Sequence, residues 1–456
     1  MADVEALEQR LSDGLTRLDR DWTVPAEIIA SPEFHELERT RLWGRSWVFL
    51  AHESEIPCPG DYVVRYIGDS QFIVTRDETG TFRANFNSCR HRGMMLCRAE
   101  QGNTSHYRCP YHGWTYNNRG DLVGVPASKD AYGGKLRKQD WGLLPAPQLD
   151  HYRGLIFGCL DSETEPLCDF LGDMRFYLDL ILDRSDAGMR VAGPPQRWVV
   201  DANWKLGADN FVGDSYHLLM THRSLMDLGF FPRDSKFAMY GEQIATDRGH
   251  GLGLISAPPG TELPPYLGLP EEIVTQLRRR LLPEQAEMLR RLSIIHGNVF
   301  PNLTVGDFLL PKDLRSAPTS FAALRLWRPL AADRVEVWSW CLIERDAPEE
   351  FAQATYETYV RTFGSGGVIE HDDIENWRSQ TRILGGDFAA RQHLNYQMGK
   401  GVLDQDKNWP GPGEAYNLEY AEAASRKFYQ HWMRLLAAPE NPMRVGTSAA
   451  ATGAEV

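Results

Sequence analysis

Two short loops carry the residues best suited to chemistry: Cys89-Arg-His91 and, after seventeen intervening residues, Cys109-Pro-Tyr-His112. Each loop pairs one thiolate donor with one imidazole donor. Two sulfur and two nitrogen ligands can hold a two-iron, two-sulfur cluster in which one iron takes both thiolates and the other both imidazoles. Zinc is the rival occupant, but zinc-finger spacing groups the cysteines in one knuckle and the histidines in another. A mixed pair in each loop fits the cluster, so the chain reads as an electron-handling protein.

A second constellation lies in Asn203-Trp-Lys-Leu-Gly-Ala-Asp-Asn210-Phe-Val-Gly-Asp214-Ser-Tyr-His217-Leu-Leu-Met-Thr-His222. Alone, such a histidine pair is more often structural, yet a chain that delivers electrons needs a site that uses them. A non-haem iron oxygenase uses two histidines and one carboxylate on one face of its metal. The run Glu370-His-Asp372-Asp373-Ile-Glu375 offers four candidate carboxylates, and residue chemistry leaves the choice among them open. Positions five apart on a regular α-helix are separated by about 140° around the axis. The spacing therefore predicts a π-bulge or a break between His217 and His222. Asp214, three residues before His217 and about 60° away on a helix, is expected to face the same way and orient its imidazole.

The elements around these residues change character along the chain. Val4, Leu7, Leu11, Leu15 and Leu18 recur at helical spacing, predicting an amphipathic N-terminal helix. From Trp47 to Leu160 short alternating or β-branched runs, separated by turns such as Asp77-Glu-Thr-Gly80, predict small antiparallel hairpins that hold both Cys/His loops. Beyond Cys168, strand-like runs at 197–201, 322–327 and 335–343 alternate with helical stretches at 270–292, 347–362 and 414–437. The fold class expected is α+β: a small β-rich domain placed before a larger domain with an antiparallel sheet flanked by helices. The boundaries expected are 1–42 for a helical segment packing on the larger domain, 43–160 for the cluster domain, 161–445 for the larger domain and 446–456 for a disordered tail. The Gly/Pro-rich segment Arg248–Pro265 reads as a long loop, with a lid as one use for it.

At 456 residues, two domains are the natural expectation. Seven cysteines are too few for a disulfide framework. No stretch approaches a bilayer-spanning length, and the first residues carry no basic region followed by an apolar run. A cytoplasmic protein is expected. A net charge of −13 argues against nucleic acid or an anionic membrane as partner.

The cluster loops, together with His112-Gly-Trp-Thr-Tyr, resemble the Rieske family. Neither loop carries the extra cysteine that forms a bridge in the respiratory-chain branch: Tyr111 stands between Pro110 and His112, and Arg-Gly-Met-Met-Leu separates His91 from Cys97. Cys97 reads as a buried apolar residue. With the second constellation following in order, the chain from about residue 30 to 437 resembles the large (alpha) subunit of aromatic ring-hydroxylating dioxygenases such as the naphthalene and biphenyl dioxygenases. That resemblance implies a Rieske [2Fe-2S] cluster on Cys89, His91, Cys109 and His112, and a mononuclear Fe(II) on His217, His222 and Asp373. It also implies that Asp214 bridges His217 to His112 of a neighbouring subunit, with Asn210 assisting near the iron.

The resemblance further implies addition of both atoms of O2 to an apolar, polycyclic aromatic ring, giving a cis-dihydrodiol. The substrate pocket expected comprises Phe211, Leu218, Met220, His296, Leu310, Phe363 and Ile369, with Leu225, Met226, Leu228, Phe230, Phe231 and Leu309 also apolar nearby. Gly249-His-Gly-Leu-Gly253 and Gly364-Ser-Gly-Gly367 lack the flanking strand and helix of a dinucleotide site. Electrons from NAD(P)H are therefore expected through a separate ferredoxin and reductase, and a small beta subunit in an α3β3 hexamer is implied. Two alternatives share the same ligands: a Rieske monooxygenase or demethylase, and a dioxygenase of a carboxylated ring such as phthalate, paired with Arg223 or Arg233.

Overall fold

The opening row of leucines forms α1 (Val4–Asp21), with Leu7, Leu11 and Leu18 buried on one face. This helix belongs to the larger of two units in the computed structural model, which describes residues 4–230, 240–257, 260–417 and 420–438. The larger unit joins the segment ending at Leu42 to the chain from Cys168 onward, and the smaller one spans Trp43–Leu167. Phe231, Arg233 and the C-terminal tail lie outside the described residues.

The larger unit is built on an eight-stranded antiparallel sheet. Its strands are β1 (Met189–Val200), β2 (Gly241–Ala245), β3 (Gly251–Ser256), β4 (Leu292–Val299), β5 (Leu303–Leu310), β6 (Thr319–Ala331), β7 (Arg334–Glu344) and β8 (Glu414–Tyr416). They lie in the order β1-β7-β6-β5-β4-β3-β2-β8. Every residue of β4 and β5 is buried, so the polar/apolar alternation of a one-sided sheet is absent there. Register aligns side chains into rows across the strands. One row runs Ile255, Ile294, Phe308 and Phe321. A second, four positions along β5 and β6, runs Asn298, Thr304, Arg325, Ser339 and Gln196.

Helices cover this sheet. Asn203 caps α2 (Trp204–Gly213), its side chain accepting the Lys205 N–H at 3.0 Å. Gly207 lets α2 come so close that a Cβ there would stand 2.6 Å from the Trp327 ring. The helix ends at Gly213, where φ is 150° and a Cβ would stand 3.0 Å from Gln243. After it come α3 (Leu218–Thr221) and α4 (Arg223–Leu228), then α5 (Glu349–Thr362) on β6 and β7, α6 (Glu370–Leu384), and α7 (Ala423–Ala437), which packs on both α1 and α2. Buried Glu38 anchors α2, pairing with Lys205 at 2.7 Å and accepting the indole N–H groups of Trp204 and Trp432.

Three sequence expectations are corrected here. The segment Arg248–Pro265 is not one long loop, because Gly251–Ser256 is a buried strand of the sheet. Gly251 is required by close packing: a Cβ there would stand 2.6 Å from Ala424. The stretch 270–292 is two helices, Glu271–Arg280 and Pro283–Arg291, since Pro283 starts a new helix and cannot continue the old one. The stretch 414–437 opens with edge strand β8 before α7 begins at Ala423.

Buried His250 ties neighbouring segments together. Its Nε2 donates to the Phe170 carbonyl and its Nδ1 accepts the Phe300 N–H, each at 2.8 Å. Burial lowers it to about 4, against about 6.5 when unfolded. The stability it contributes is complete above about pH 6.5 and is lost as pH falls through 4, a span worth about 3 kcal/mol. We expect a plot of melting temperature against pH for the full metal-free chain to be shallower between pH 6.5 and 4 in His250→Asn than in the parent. Equal slopes would remove His250 from the account of acid sensitivity.

The smaller unit is built of three small antiparallel sheets and carries one short helix, Ser128–Tyr132. Phe82–Phe86, Ser70–Arg76, Asp61–Ile67 and Gln101–Asn103 form a four-stranded sheet in that order. Gln148–Tyr152, Leu155–Cys159 and Val48–His52 form a second sheet, and His106–Arg108, Thr115–Asn117 and Leu122–Gly124 a third. The loop Cys109–His112 is the tip of the hairpin between the first two strands of the third sheet.

Candidate active site and metal centres

The two Cys/His loops have the same backbone construction. Ser88 pairs with Met95, and Arg108 with Thr115, so each cysteine opens a tip of equal length. Each cysteine N–H donates at 2.8 Å to the carbonyl five residues on, that of Met94 or Trp114. Each cysteine carbonyl accepts from a glycine four residues on, Gly93 or Gly113, with φ of 72° and 74°. A side chain at either glycine would strain the turn. Cys89 and Cys109 are buried, while His91 and His112 are partly exposed with their Nδ1 atoms 3.1 Å apart. Two sulfurs inside and two nitrogens outside suit a binuclear cluster with an inner and an outer iron.

Aromatic residues shape this site. Trp114 stacks on His91 at 5.1 Å, and Tyr111, itself exposed, lies against His112 at 3.6 Å. The buried Tyr116 hydroxyl lies 3.4 Å from Cys89 Sγ and accepts the Arg90 N–H at 3.1 Å. Burial pushes both Cys89 and Tyr116 upward, so Tyr116 keeps its proton and can donate it toward the sulfur. Cys97 is packed into the same core, burial pushing its thiol up to about 12. A hydrogen bond to a cluster sulfur stabilises the reduced state. Tyr116→Phe is accordingly expected to lower the cluster's midpoint potential in spectroelectrochemical titration, with the visible spectrum retained; an unchanged potential would mean that the hydroxyl does not reach the sulfur.

In the larger unit, His217, His222 and Asp373 bring one ligand atom each to within 4.8 Å of the others. Asp373 Oδ1 lies 3.7 Å from His217 Nε2 and 3.4 Å from His222 Nε2. The chain between the histidines is broken. His217 and His222 flank the single turn α3, and at His222 the backbone leaves helical geometry at φ −100°, ψ 26° before α4 begins. The interruption is a break rather than a π-bulge. The expectation that Asp214 shares a helical face with His217 is corrected: Asp214 follows the end of α2 in extended conformation. Its Oδ1 accepts the N–H groups of Tyr216 and His217 at 3.0 and 3.2 Å, and that turn brings Oδ2 to 3.3 Å from His217 Nδ1.

His222 has an aspartate of its own, since Asp372 Oδ2 lies 3.3 Å from its Nδ1. Sequence reading treated Asp372 only as a rival ligand. Each imidazole thus has a carboxylate at Nδ1 and directs Nε2 toward Asp373, the arrangement that fixes tautomer and ring orientation at a metal site. Burial pushes Asp373 up to about 7, His217 pulling the other way and Glu370 adding to the rise. Burial opposes charge on His217, but Asp214 outweighs it and holds the ring up at about 9; burial and His217 push His222 down to about 3. Asp373 Oδ1 is buried without a hydrogen-bond donor. A cation bound at this point would supply the missing partner, so the donor set fits a mononuclear metal.

A cavity opens over these ligands. Of the expected lining, Phe211, Leu218, His296, Leu310, Phe363 and Ile369 are present, along with Asn210 and Asp214. Met220 is not: it is 78% exposed on the outer side of α3. Leu225 and Met226 are buried elsewhere, and Leu309 points to the opposite face of β5 from Leu310. Ile255, Ile294 and Phe308, from the first of the two side-chain rows, complete the wall and were missed in the sequence. His296 is fixed, its Nδ1 donating to the Phe211 carbonyl at 3.2 Å and its Nε2 accepting from Ser215 at 2.9 Å. No lysine or arginine stands among the described lining residues. Arg223 is exposed and pairs with Asp227 at 3.2 Å.

Fold and site together define a cluster-fed, non-haem iron oxygenase. Residues 46–144 match the Rieske [2Fe-2S] domain, and residues 173–438 match the catalytic domain of the ring hydroxylating alpha subunit. The chain belongs to the aromatic ring-hydroxylating dioxygenase alpha-subunit family, whose cofactors are a Rieske [2Fe-2S] cluster and a mononuclear iron. It is similar to naphthalene 1,2-dioxygenase from Rhodococcus sp., solved with indole bound: TM-score 0.94, 61% identity, 96% of this chain and 99% of that one covered. Among curated relatives, the biphenyl 2,3-dioxygenase alpha subunit of Rhodococcus jostii (strain RHA1) is 35% identical over 92% of this chain and 90% of its own. The N,N-dimethyl phenylurea N-demethylase alpha subunit of Sphingobium sp. (strain YBL2) is 33% identical over 95% and 94%.

Proposed function

We propose that this dioxygenase acts on an apolar, polycyclic aromatic hydrocarbon and forms a cis-dihydrodiol. The observation that carries the substrate class is the cavity wall, where Phe211, Phe308, Phe363, Ile255, Ile294 and Leu310 face the ligand set with no lysine or arginine among the described lining residues. A carboxylated ring would leave its charge unpaired there, at a large cost. Two electrons and two protons balance the addition of one O2 to one ring edge. NAD(P)H supplies the electrons in this proposal, through a separate reductase and ferredoxin.

When bound, the iron supplies the centre at which dioxygen is activated and the cluster supplies electrons one at a time. His217, His222 and Asp373 would hold that iron, with Asp214 and Asp372 keeping both rings in the tautomer that exposes Nε2. The aromatic wall orients the ring and excludes water. Asp214 is assigned the bridge from His217 to His112 of a neighbouring subunit. Partial exposure of both side chains supports this reading, Asp214 at 38%. A small beta subunit and an α3β3 hexamer complete the proposal. No described helix is long and apolar enough to cross a membrane, and a cytoplasmic location is proposed with it.

Single-turnover incubation of the reduced protein with ¹⁸O₂ and naphthalene, biphenyl, phenanthrene or phthalate tests the function. A diol of a hydrocarbon carrying two labelled atoms is expected. One labelled atom, or formaldehyde released from an N-methyl substrate, would favour the chemistry of the demethylase relative, and turnover of phthalate alone would refute the apolar substrate class.

A further inference from the structure

We propose that Arg325 is a positioning residue that sets which ring edge is oxidised, by holding the Phe363 wall against the helix that carries Asp373. This rests on the proposed ring oxidation. Arg325 never reaches the cavity. It stands fully buried on β6, behind the wall, in the polar side-chain row with Ser339 and Gln196.

Three kinds of contact leave this one guanidinium. Nη2 donates to the Phe363 carbonyl at 2.7 Å. The cation lies 4.6 Å from the centre of the Phe363 ring and 5.4 Å from that of Phe211, so it touches two wall residues from behind. Nη1 lies 2.5 Å from Oε2 of Glu370, also fully buried, at the first residue of α6 and three residues before Asp373. Two other members of the row hold the last turn of α5 and the connection that follows it. Ser339 accepts the Tyr359 hydroxyl at 2.8 Å, and Gln196 accepts the Ser365 N–H at 2.7 Å. Phe363 in turn stacks on Phe308 at 4.4 Å, so its position fixes one side of the cavity.

A buried ion pair is weak grounds for stability, because apolar replacement of both partners is often neutral or stabilising. Its value lies in geometry: the planar fork fixes a backbone carbonyl, a ring and a carboxylate at once, which a lysine cannot do. Losing that fork frees Phe363 to shift relative to the Asp373 helix. Sub-ångström changes in how a ring sits at the reacting centre alter competing barriers by different amounts.

The test uses the full chain with its cluster and iron, and with any partner subunit that co-purifies. Arg325→Met/Glu370→Gln removes the pair without leaving a buried charge, Arg325→Lys keeps the charge alone, and Gln196→Ala loosens only Ser365. Regioisomeric diols from phenanthrene and biphenyl are resolved by chiral chromatography. The expected result is an isomer ratio changed about three- to tenfold in the double variant and less in the other two, with iron content and cluster spectrum unchanged. Near-infrared circular dichroism of the ferrous site, read on adding phenanthrene, is expected to change as well. Wild-type ratios in an iron-loaded double variant, or equal loss of all isomers, would overturn the proposal. Should the double variant not fold, wild-type ratios in both Arg325→Lys and Gln196→Ala would overturn it. If the parent protein makes no diol, the proposed function fails, and the circular dichroism comparison alone then decides whether Arg325 positions a ring at the iron.

Discussion

Replacing Asp214 by alanine is expected to leave both metal centres filled and yet reduce turnover about 100-fold or more. None of the four residues proposed to hold the cluster and none of the three proposed to hold the iron is changed by this substitution. What is lost is the carboxylate 3.3 Å from His217 Nδ1, together with the acceptor for the Tyr216 and His217 N–H groups. Iron content by metal analysis and the visible spectrum of the cluster should match the parent. Reduction of the cluster by an external donor should also proceed normally, while reoxidation in the presence of substrate and O2 should stall. Asp214→Asn can retain the backbone hydrogen bonds but not the negative charge, so it separates folding of the turn from the electron route. Near-normal product formation in both variants would sink the assignment of Asp214.

The second large effect concerns Asp373, and it has opposite signs with and without metal. Asp373→Asn removes the anionic ligand, so iron bound after dialysis against a weak chelator should fall to a small fraction of one equivalent. In the metal-free chain the same substitution should stabilise. A carboxyl group held up at about 7 when folded, against about 3.9 unfolded, costs nothing below pH 4, where both states are protonated. Its cost grows as pH rises from 4 to 7 and then levels at roughly 4 kcal/mol at most. Melting of the metal-free proteins at pH 8 should therefore occur at higher temperature for Asp373→Asn than for the parent, and the order should reverse once Fe(II) is added. A metal-free variant that melts below the parent would refute the idea that the site is built around an absent positive charge.

Much of the chemistry was legible because it depends on spacing within short segments. The two Cys/His loops are local, and so is the five-residue interval between His217 and His222, which no regular helix can satisfy at one metal. Asp373 was not readable from residue chemistry. Four acids in a row look alike until the helix α6 buries Glu370 and Asp373 and leaves Glu375 exposed; only the family resemblance selected among them. The rest was lost through pairing at long range. Ile255, Ile294 and Phe308 meet only through strand register, and in strands buried on both faces the sequence gives no inward or outward signal. Met220 failed for the complementary reason: its neighbours in sequence are pocket and ligand residues, but the break at His222 turns it outward. Arg325 and Lys205 are charged residues in apolar surroundings, and nothing nearby in the chain announces the buried acids that pair with them.

The single turn α3 acts as a ruler between two ligands. Its four residues, Leu218–Thr221, set the separation of His217 and His222, with Thr221 N–H closing on the His217 carbonyl at 2.9 Å. Adding or removing one residue would swing one histidine by about 100° about the turn, and no side-chain adjustment could return its Nε2 to Asp373. Length in this stretch is therefore under far tighter constraint than composition. A library built on the outward Met220 position should yield mostly iron-loaded proteins, whereas one that varies the number of residues between the histidines should yield almost none.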